Sequence, residues 1–349
     1  MTSINQQYQY NAVLGGTVDT QEKPPYSGEE VLLTSYEEAA PKPNIIGQVI
    51  SYGEKGINLL FSFLNNGKTS EYQNGYSHKG IDTKPFSFNL VTTNKRGEII
   101  STTLGYARSF IQDLGNGVNL EMVQIPGGKY LMGSREERCD WEFPEHEVKL
   151  PNFFMSKYPV TQEQYKSITG ANPSMFKGDQ LPVENVSWNN AVSFCEELAT
   201  KTGKSYTLPS ETQWEYACRA GTGTGTAFYF GDSINSDLVN YNGNYSYGLV
   251  HKQKFRQKTL AVGSLMPNPY GLYDMHGNVY EWCLDDWHSN YNGAPDNQNP
   301  WFSRSSRWKV VRGGSWNTSP QDCRSTSRSL HMADSACGDI GFRLVLNVS

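Results

Sequence analysis

From about residue 220 to its end, the chain carries few periodic segments. It is dense there in Gly, Asn, Tyr and Trp, and most of it reads as irregular backbone. Buried peptide groups must still find partners, so such a region needs side chains that bond to loop carbonyls and N–H groups in place of a ladder. Long loops inside a compact domain are usually functional.

Regular elements are marked upstream. Three segments carry helix start signals: VTQEQYKSITG, with Thr161 as N-cap, Gln164 three residues on and Gly170 as terminator; SWNNAVSFCEELATKTG, with Ser187 as N-cap and Gly203 past the end; and PSETQWEYACRAG, with Ser210 and Gln213 as a capping-box pair. In the second, Trp188, Ala191, Phe194, Cys195, Leu198 and Ala199 form one apolar face. FSFNLVTTNKRGEIISTTL (86–104) predicts two strands around NKRG, and EMVQIPGGKYLMGS (121–134) predicts two more with GG as the turn. Residues 1–84 read as an extension, polar and Pro-rich to about 45, with a weak helical signal after it; 85–118 read as accessory strands, and 119–349 as the main domain.

The 349 residues suggest about two domains. The net charge of -5 and pI near 5.7 argue against a nucleic-acid partner. Apolar runs such as GINLLFSFL are too short to span a bilayer, and the N-terminus lacks the pattern of a signal peptide, so a cytoplasmic protein without membrane contact is expected. Six scattered cysteines with no CxxC pair make a structural zinc site unexpected and suggest buried thiols. GTGTGT (221–226) lacks the context and the Lys of a phosphate loop.

Eight motifs then occur in order: MVQIPGGKYLMGS, PVTQEQY, PVENVSWNNAVSFC, LPSETQWEYACRAG, NPYGLYDMHGNVYEW, VVRGGSW, CRSTSR and GFRLV. Over about 119–346 the chain resembles the formylglycine-generating-enzyme (sulfatase-modifying factor) family. The resemblance implies an α+β variant of the C-type lectin fold, with two main helices, small antiparallel sheets and much loop. It also implies that Cys218 and Cys323 match a structural pair and sit close together, oxidised or not. The family's oxidases carry two cysteines between RGGS and the later Cys-Arg. Here that interval, WNTSPQD (316–322), has none, so the oxidase chemistry loses its nucleophile. A second enzymatic branch uses a histidine-held iron, but the six histidines here show no i, i+4 pair, and each reads as a surface or loop residue.

A third group within this fold resembles the chain further: the variable proteins of diversity-generating retroelements, whose frame is similar to RGGSW…CRS…R…GFR. Between the fixed residues, codons such as AAC are altered at their adenines. Between RGGSW and IGFR lies SLHMADSACGD, which has no hydrophobic period, turn signature or charge pattern. Ser329, Leu330, His331, Ala333, Asp334, Ser335, Ala336, Cys337, Gly338 and Asp339 are all reachable from AAC, as are Thr318, Ser319, Asp322 and Ser327; Met332 is not. The expected binding face is Asn317, Thr318, Ser319, Gln321, Asp322, Ser327, Ser329, Leu330, His331, Met332, Asp334, Ser335, Cys337, Gly338 and Asp339, within a variable region of about 316–339. Tyr280, Trp287, Tyr291 and Trp301 are expected to flank it. Gly313, Gly314 and Gly341 would supply tight turns and close approaches, Trp316, Phe342 and Val345 apolar burial, and Arg312, Arg324, Arg328 and Arg343 forked hydrogen bonds.

The family resemblance also implies a calcium site at Asp274, Gly277, Val279 and Glu281, two carboxylates and two carbonyls. The same residues read equally as a turn in which Glu281 caps backbone N–H groups, and Asp285 and Asp286 as a solvated pair. The function expected is therefore non-enzymatic binding of a ligand, itself a protein surface, with no cofactor required and structural calcium as an addition. The alternatives are an oxidoreductase or other enzyme of this fold lacking the usual cysteine pair, or a function carried by residues 1–118 through docking a signalling partner.

Overall fold

The computed structural model describes residues 80–135, 140–223, 225–303 and 306–348. Most of the N-terminal extension, with its weak helical signal, lies outside these residues, as does Cys139.

The strands are β1 Lys84–Thr93, β2 Ile99–Asp113, β3 Asn119–Ile125, β4 Gly128–Met132, β5 His146–Leu150, β6 Phe153–Ser156, β7 Tyr206–Thr207, β8 Tyr280–Asp286, β9 Trp308–Arg312, β10 Arg328–Met332, β11 Ile340–Gly341 and β12 Val345–Asn347. The helices are α1 Gln162–Thr169, α2 Trp188–Thr202 and α3 Glu211–Arg219, three where the family likeness implies two. Each begins at its expected cap. Thr161 with Gln164, Ser187 with Asn190 and Ser210 with Gln213 close reciprocal capping boxes, and Gly170 and Gly203 end their helices in the left-handed conformation.

β1 and β2 pair around Asn94–Gly97 as the sequence predicts. They are not a separate accessory unit, because Ser109 pairs with Val123 and β2 continues into β3. The result is a six-stranded antiparallel sheet ordered β1-β2-β3-β6-β12-β7. The predicted hairpin at Gly127–Gly128 does not form. β3 stays in this sheet, while β4 leaves it and pairs with β5. A Cβ on Gly127 would stand 2.8 Å from the Leu150 carbonyl oxygen, so glycine there permits a close crossing of chains. The third sheet, ordered β10-β9-β8-β11, is antiparallel except for the β11–β8 contact, and β10 forms its edge.

One core joins α1 and α2 to the six-stranded sheet through Tyr165, Phe194, Leu198, Phe154 and Phe342; a second packs β3, β4 and β6 against α3 through Trp214, Ala217 and Val345. Between α3 and β8 no described residue belongs to a helix or strand. Buried asparagines satisfy that backbone instead. Asn268 accepts from the N–H groups of Tyr270 (3.0 Å) and Leu272 (3.1 Å) and donates to the Ala217 carbonyl (2.6 Å). Asn278 accepts from the N–H of Leu260 (2.9 Å) and from the amide of Asn240 (3.1 Å). All three asparagines are fully buried, so they act as substitutes for a ladder.

Candidate functional site

Helix α3 is buried on every side although its sequence is largely polar. Its carboxylates explain why. Glu211 receives a two-pronged contact from Arg328, with Nε–Oε1 at 2.6 Å and Nη2–Oε2 at 2.8 Å. Glu215 receives Arg219 at 2.9 Å and Arg312. Arg312 also donates to the carbonyls of Ser325 (3.2 Å), Thr326 (2.8 Å) and Ser327, and Arg328 to those of Trp141 (2.7 Å) and His288 (3.1 Å). Arg343 grips Glu281 with two bonds and reaches the carbonyls of Ser156 and Tyr273. Arg324 pairs with Glu142. The four arginines thus hold irregular backbone as their fork geometry suggests. Charges this deep are stable only while paired, and removing one partner costs about 3–5 kcal/mol. Gly314 shares the design, since a Cβ there would meet the Cys323 sulfur at 2.5 Å.

The frame holds the following segment by its backbone. Arg328–Met332, within the run that looked unpatterned, is a strand paired to β9 with Leu330 opposite Val310 and Met332 opposite Trp308. Beyond it, the Ala333 N–H donates to Arg307 (2.9 Å). The carbonyls of Ala333, Cys337 and Asp339 accept from the N–H groups of Asn189 (3.3 Å), Asn185 (2.8 Å) and Tyr280 (2.9 Å). The Gly338 carbonyl accepts from the Trp316 indole at 3.2 Å. Met332, Asp334 and Ala336 are exposed and Ser335 half-exposed, and among the described residues the side chains of Asp334 and Ser335 make no hydrogen bond.

The expected face divides accordingly. Asn317 and Gln321 are exposed, and Leu330 is half-exposed on the same side of β10 as Met332. Other predicted residues serve the frame. The Thr318 hydroxyl accepts from the Ser315 N–H (2.8 Å). Ser319 donates to Asp322 (2.7 Å) and closes the short 3₁₀ turn Pro320–Cys323, and Asp339 accepts from the Ser315 hydroxyl (2.9 Å). Ser327 is buried under Arg312 and leaves the face. His331 lies edge-on to Trp282 at 6.2 Å, and burial lowers its pKa; Ser329 is half-buried, and Cys337 packs against the first core. Tyr280 and Tyr291 are core residues and do not flank the surface, whereas Trp287 and Trp301 are half-exposed. Trp316 is only half-buried, between Phe176 and Phe255. Sequence reasoning missed Trp308, 45% exposed beside Met332; its signal was an aromatic at the outer end of the strand leading into RGGSW.

The calcium set does not fit. Glu281 spends both oxygens on Arg343 (2.6 and 2.7 Å) and one also on the Trp214 indole (2.7 Å). A guanidinium therefore supplies the positive charge that a cation would bring. Asp274 accepts from the Gly263 N–H at 2.9 Å, and burial pushes its carboxyl up to about 6. Among the described residues no three His, Cys, Asp or Glu side chains are grouped to hold a metal. Asp285 and Asp286 are not a solvated pair. Both are buried, the first accepting from the N–H groups of Glu211 and Trp301, the second paired with Lys309 at 2.6 Å.

Cys195, Cys218, Cys283 and Cys323 are buried free thiols and Cys337 a half-buried one. Burial raises the pKa of each, to about 12 for Cys195 and Cys218, the opposite of what a reactive thiolate needs. Cys218 and the Cys323 carbonyl both contact His276, which is no loop-surface residue but fully enclosed. The imidazole Nδ1–H donates to the Cys323 carbonyl (2.7 Å), and Nε2 accepts from the Tyr229 N–H (3.3 Å).

An α+β domain with three capped helices, short sheets and a C-terminal arginine frame has the C-type lectin fold of formylglycine-generating-enzyme type. The chain belongs to the formylglycine-generating-enzyme (sulfatase-modifying factor) family, its residues 112–348 matching the sulfatase-modifying factor enzyme 1-like domain. It is similar to the serine/threonine-protein kinase pkn1 of Chlamydia caviae, 32% identical over 258 residues that cover 65% of this chain and 38% of the kinase. The chain thus spans less than half of that relative. Among solved structures it resembles PvdO from Pseudomonas aeruginosa (TM-score 0.59, 30% identity) and Treponema denticola variable protein 1 (TM-score 0.59, 26% identity); each match covers 68% of this chain and 98% of the other. Relatives include the formylglycine-generating enzyme of Mus musculus (28% identical over 284 residues, 64% of this chain and 74% of the relative) and the inactive C-alpha-formylglycine-generating enzyme 2 of Bos taurus (25% identical over 290 residues, 66% of this chain and 89% of the relative).

Proposed function

We propose that this protein is a non-enzymatic binder whose C-terminal surface is diversified, as in the variable proteins of diversity-generating retroelements. One observation carries the reading: the segment from Met332 to Asp339 is fixed through its backbone carbonyls, while the side chains of Met332, Asp334, Ser335 and Ala336 take no part in fixing it. Substitutions at such positions usually change stability by no more than about 0.5 kcal/mol. Many sequences can occupy the same loop, and the ligand they meet is a protein surface. The likeness to Treponema denticola variable protein 1 supports this reading. So does the upward shift of every described thiol, the opposite of what the family's cysteine oxidation needs.

Deep sequencing of the gene's 3′ end across a growing population, with its genomic neighbourhood, tests the proposal. The expected result is change clustered in the codons for 317–339, above all 330, 334 and 335, with Thr318 and Ser327 changing less. The changes should match adenines in a near-copy beside a reverse transcriptase gene. An invariant region with no near-copy rejects it and turns attention to an enzyme of the same fold, approached by metal analysis and substrate screening.

A further inference from the structure

Between Leu238 and Tyr273 the sequence has no aspartate or glutamate, yet HKQKFRQK (251–258) places Lys252, Lys254, Arg256 and Lys258 close together in a chain of net charge -5. The three lysines are exposed and Arg256 half-buried. Among the described residues none of the four has a carboxylate partner at ion-pair distance.

The backbone of this strap is pinned. The Gln253 N–H donates to the Gly243 carbonyl (2.7 Å), Asn240 donates to the Lys258 carbonyl (3.0 Å), and Arg256 donates to the Ser236 carbonyl (2.6 Å). Phe255 stacks on Trp316, with centroids 6.3 Å apart and planes 15° apart, and the Asn242 N–H donates to the Thr318 carbonyl (2.9 Å). The strap therefore borders Trp316 and Asn317. Clustered cations without counter-charges create a local positive field even on an acidic protein.

We infer that residues 251–258, bordered by Trp316 and Asn317, form a docking surface for an acidic stretch of another protein. A nucleic acid fits less well. Few phosphates could be neutralised, the net charge opposes a polyanion, and the phenyl ring of Phe255 is packed on Trp316, away from bases. Asp237 is exposed next to Ser236, the residue that Arg256 anchors, so the attraction belongs to Lys252, Lys254 and Lys258. The inference holds whether or not residues 317–339 vary.

The test uses the whole chain and a fluorescein-labelled oligoglutamate peptide, read by anisotropy at about 20 mM salt, where surface charges are least screened. The triple variant Lys252→Glu, Lys254→Glu, Lys258→Glu is expected to lose at least about tenfold in affinity. None of these side chains holds the strap, and circular dichroism checks that the variant stays folded. A control with the same net charge, Lys84→Glu, Lys149→Glu, Lys201→Glu, changes exposed lysines elsewhere and should stay within about twofold of the parent. Any of three results overturns the inference: no peptide binding by the parent, equal losses in both triple variants, or tighter binding of an oligothymidylate of equal charge.

Discussion

Glu184 and Gly338 meet at the base of the framed loop: a Cβ on Gly338 would stand 3.5 Å from Glu184 Oε2, a buried carboxylate oxygen with no hydrogen-bond partner among the described residues. The other oxygen accepts from the Phe176 N–H at 2.9 Å. Burial pushes this carboxyl up to about 6, so its charged form is the poorly served one. One position of the expected variable face therefore reaches a fixed acid of the frame.

Gly338→Ser should stabilise the protein. The new hydroxyl can donate to Oε2, and the only tighter neighbour, the methyl of exposed Met175 at 3.1 Å, can move aside. Satisfying one buried acceptor is worth about 1 kcal/mol. Because the folded pKa of Glu184 is raised, its contribution is full below the unfolded value and is lost as pH rises through about 6. The serine favours the charged form, so the gain in Tm should be larger at about pH 8 than at about pH 5. A gain independent of pH would show that the hydroxyl does not reach Glu184.

Frame and face should separate in urea unfolding. Glu211→Gln leaves Arg328 buried without its carboxylate and should cost about 3–5 kcal/mol, whereas Asp334→Ala should stay within about 0.5 kcal/mol. Trp316→Ala, half-buried between two rings, should fall between these at about 2 kcal/mol without unfolding the chain. Equal losses for Glu211→Gln and Asp334→Ala contradict the division.

The helices and the first hairpin were legible because their signals are local: caps, terminators and apolar spacing act within a few residues. The arginine frame was legible as donors without acceptors, since Arg312 and Arg328 find Glu211 and Glu215 on a helix about a hundred residues away in sequence. Contacts decided at long range were not legible. Glycine at 127 reads as a turn until the Leu150 carbonyl is seen crossing it. Thr318 and Ser327 are as reachable by adenine mutagenesis as Asp334, and only burial and bonding separate them. Strand β10 escaped notice because its alternation is short and half-exposed.

Calcium should leave stability unchanged. Binding at Asp274 and Glu281 would require Glu281 to release Arg343, a fully buried guanidinium, and no ligand stabilises a state it cannot enter. Thermal unfolding with excess calcium and with a chelator should give the same Tm. A rise with calcium would restore the ligand set that the sequence suggested.

His276 should set the acid limit of stability. Both ring nitrogens are engaged in the neutral form, Nδ1–H donating to Cys323 and Nε2 accepting from Tyr229, and burial pulls the pKa down to about 4. A histidine with a depressed folded pKa binds its proton more readily when unfolded. The unfolded state thus holds more protons between about pH 6.5 and pH 4, and stability falls as pH falls through that window, by up to about 3 kcal/mol from this residue. Buried Asp274 and Asp285, with carboxyls raised to about 6 and about 7, act in the opposite sense and lose stability as pH rises. The comparison that isolates the histidine is wild type against His276→Gln in urea at several pH values. The variant should be weaker at neutral pH, and the difference should shrink steadily toward pH 4. A difference that stays constant would mean that the folded and unfolded chains take up this proton alike, so that the fold does not depress the imidazole's pKa.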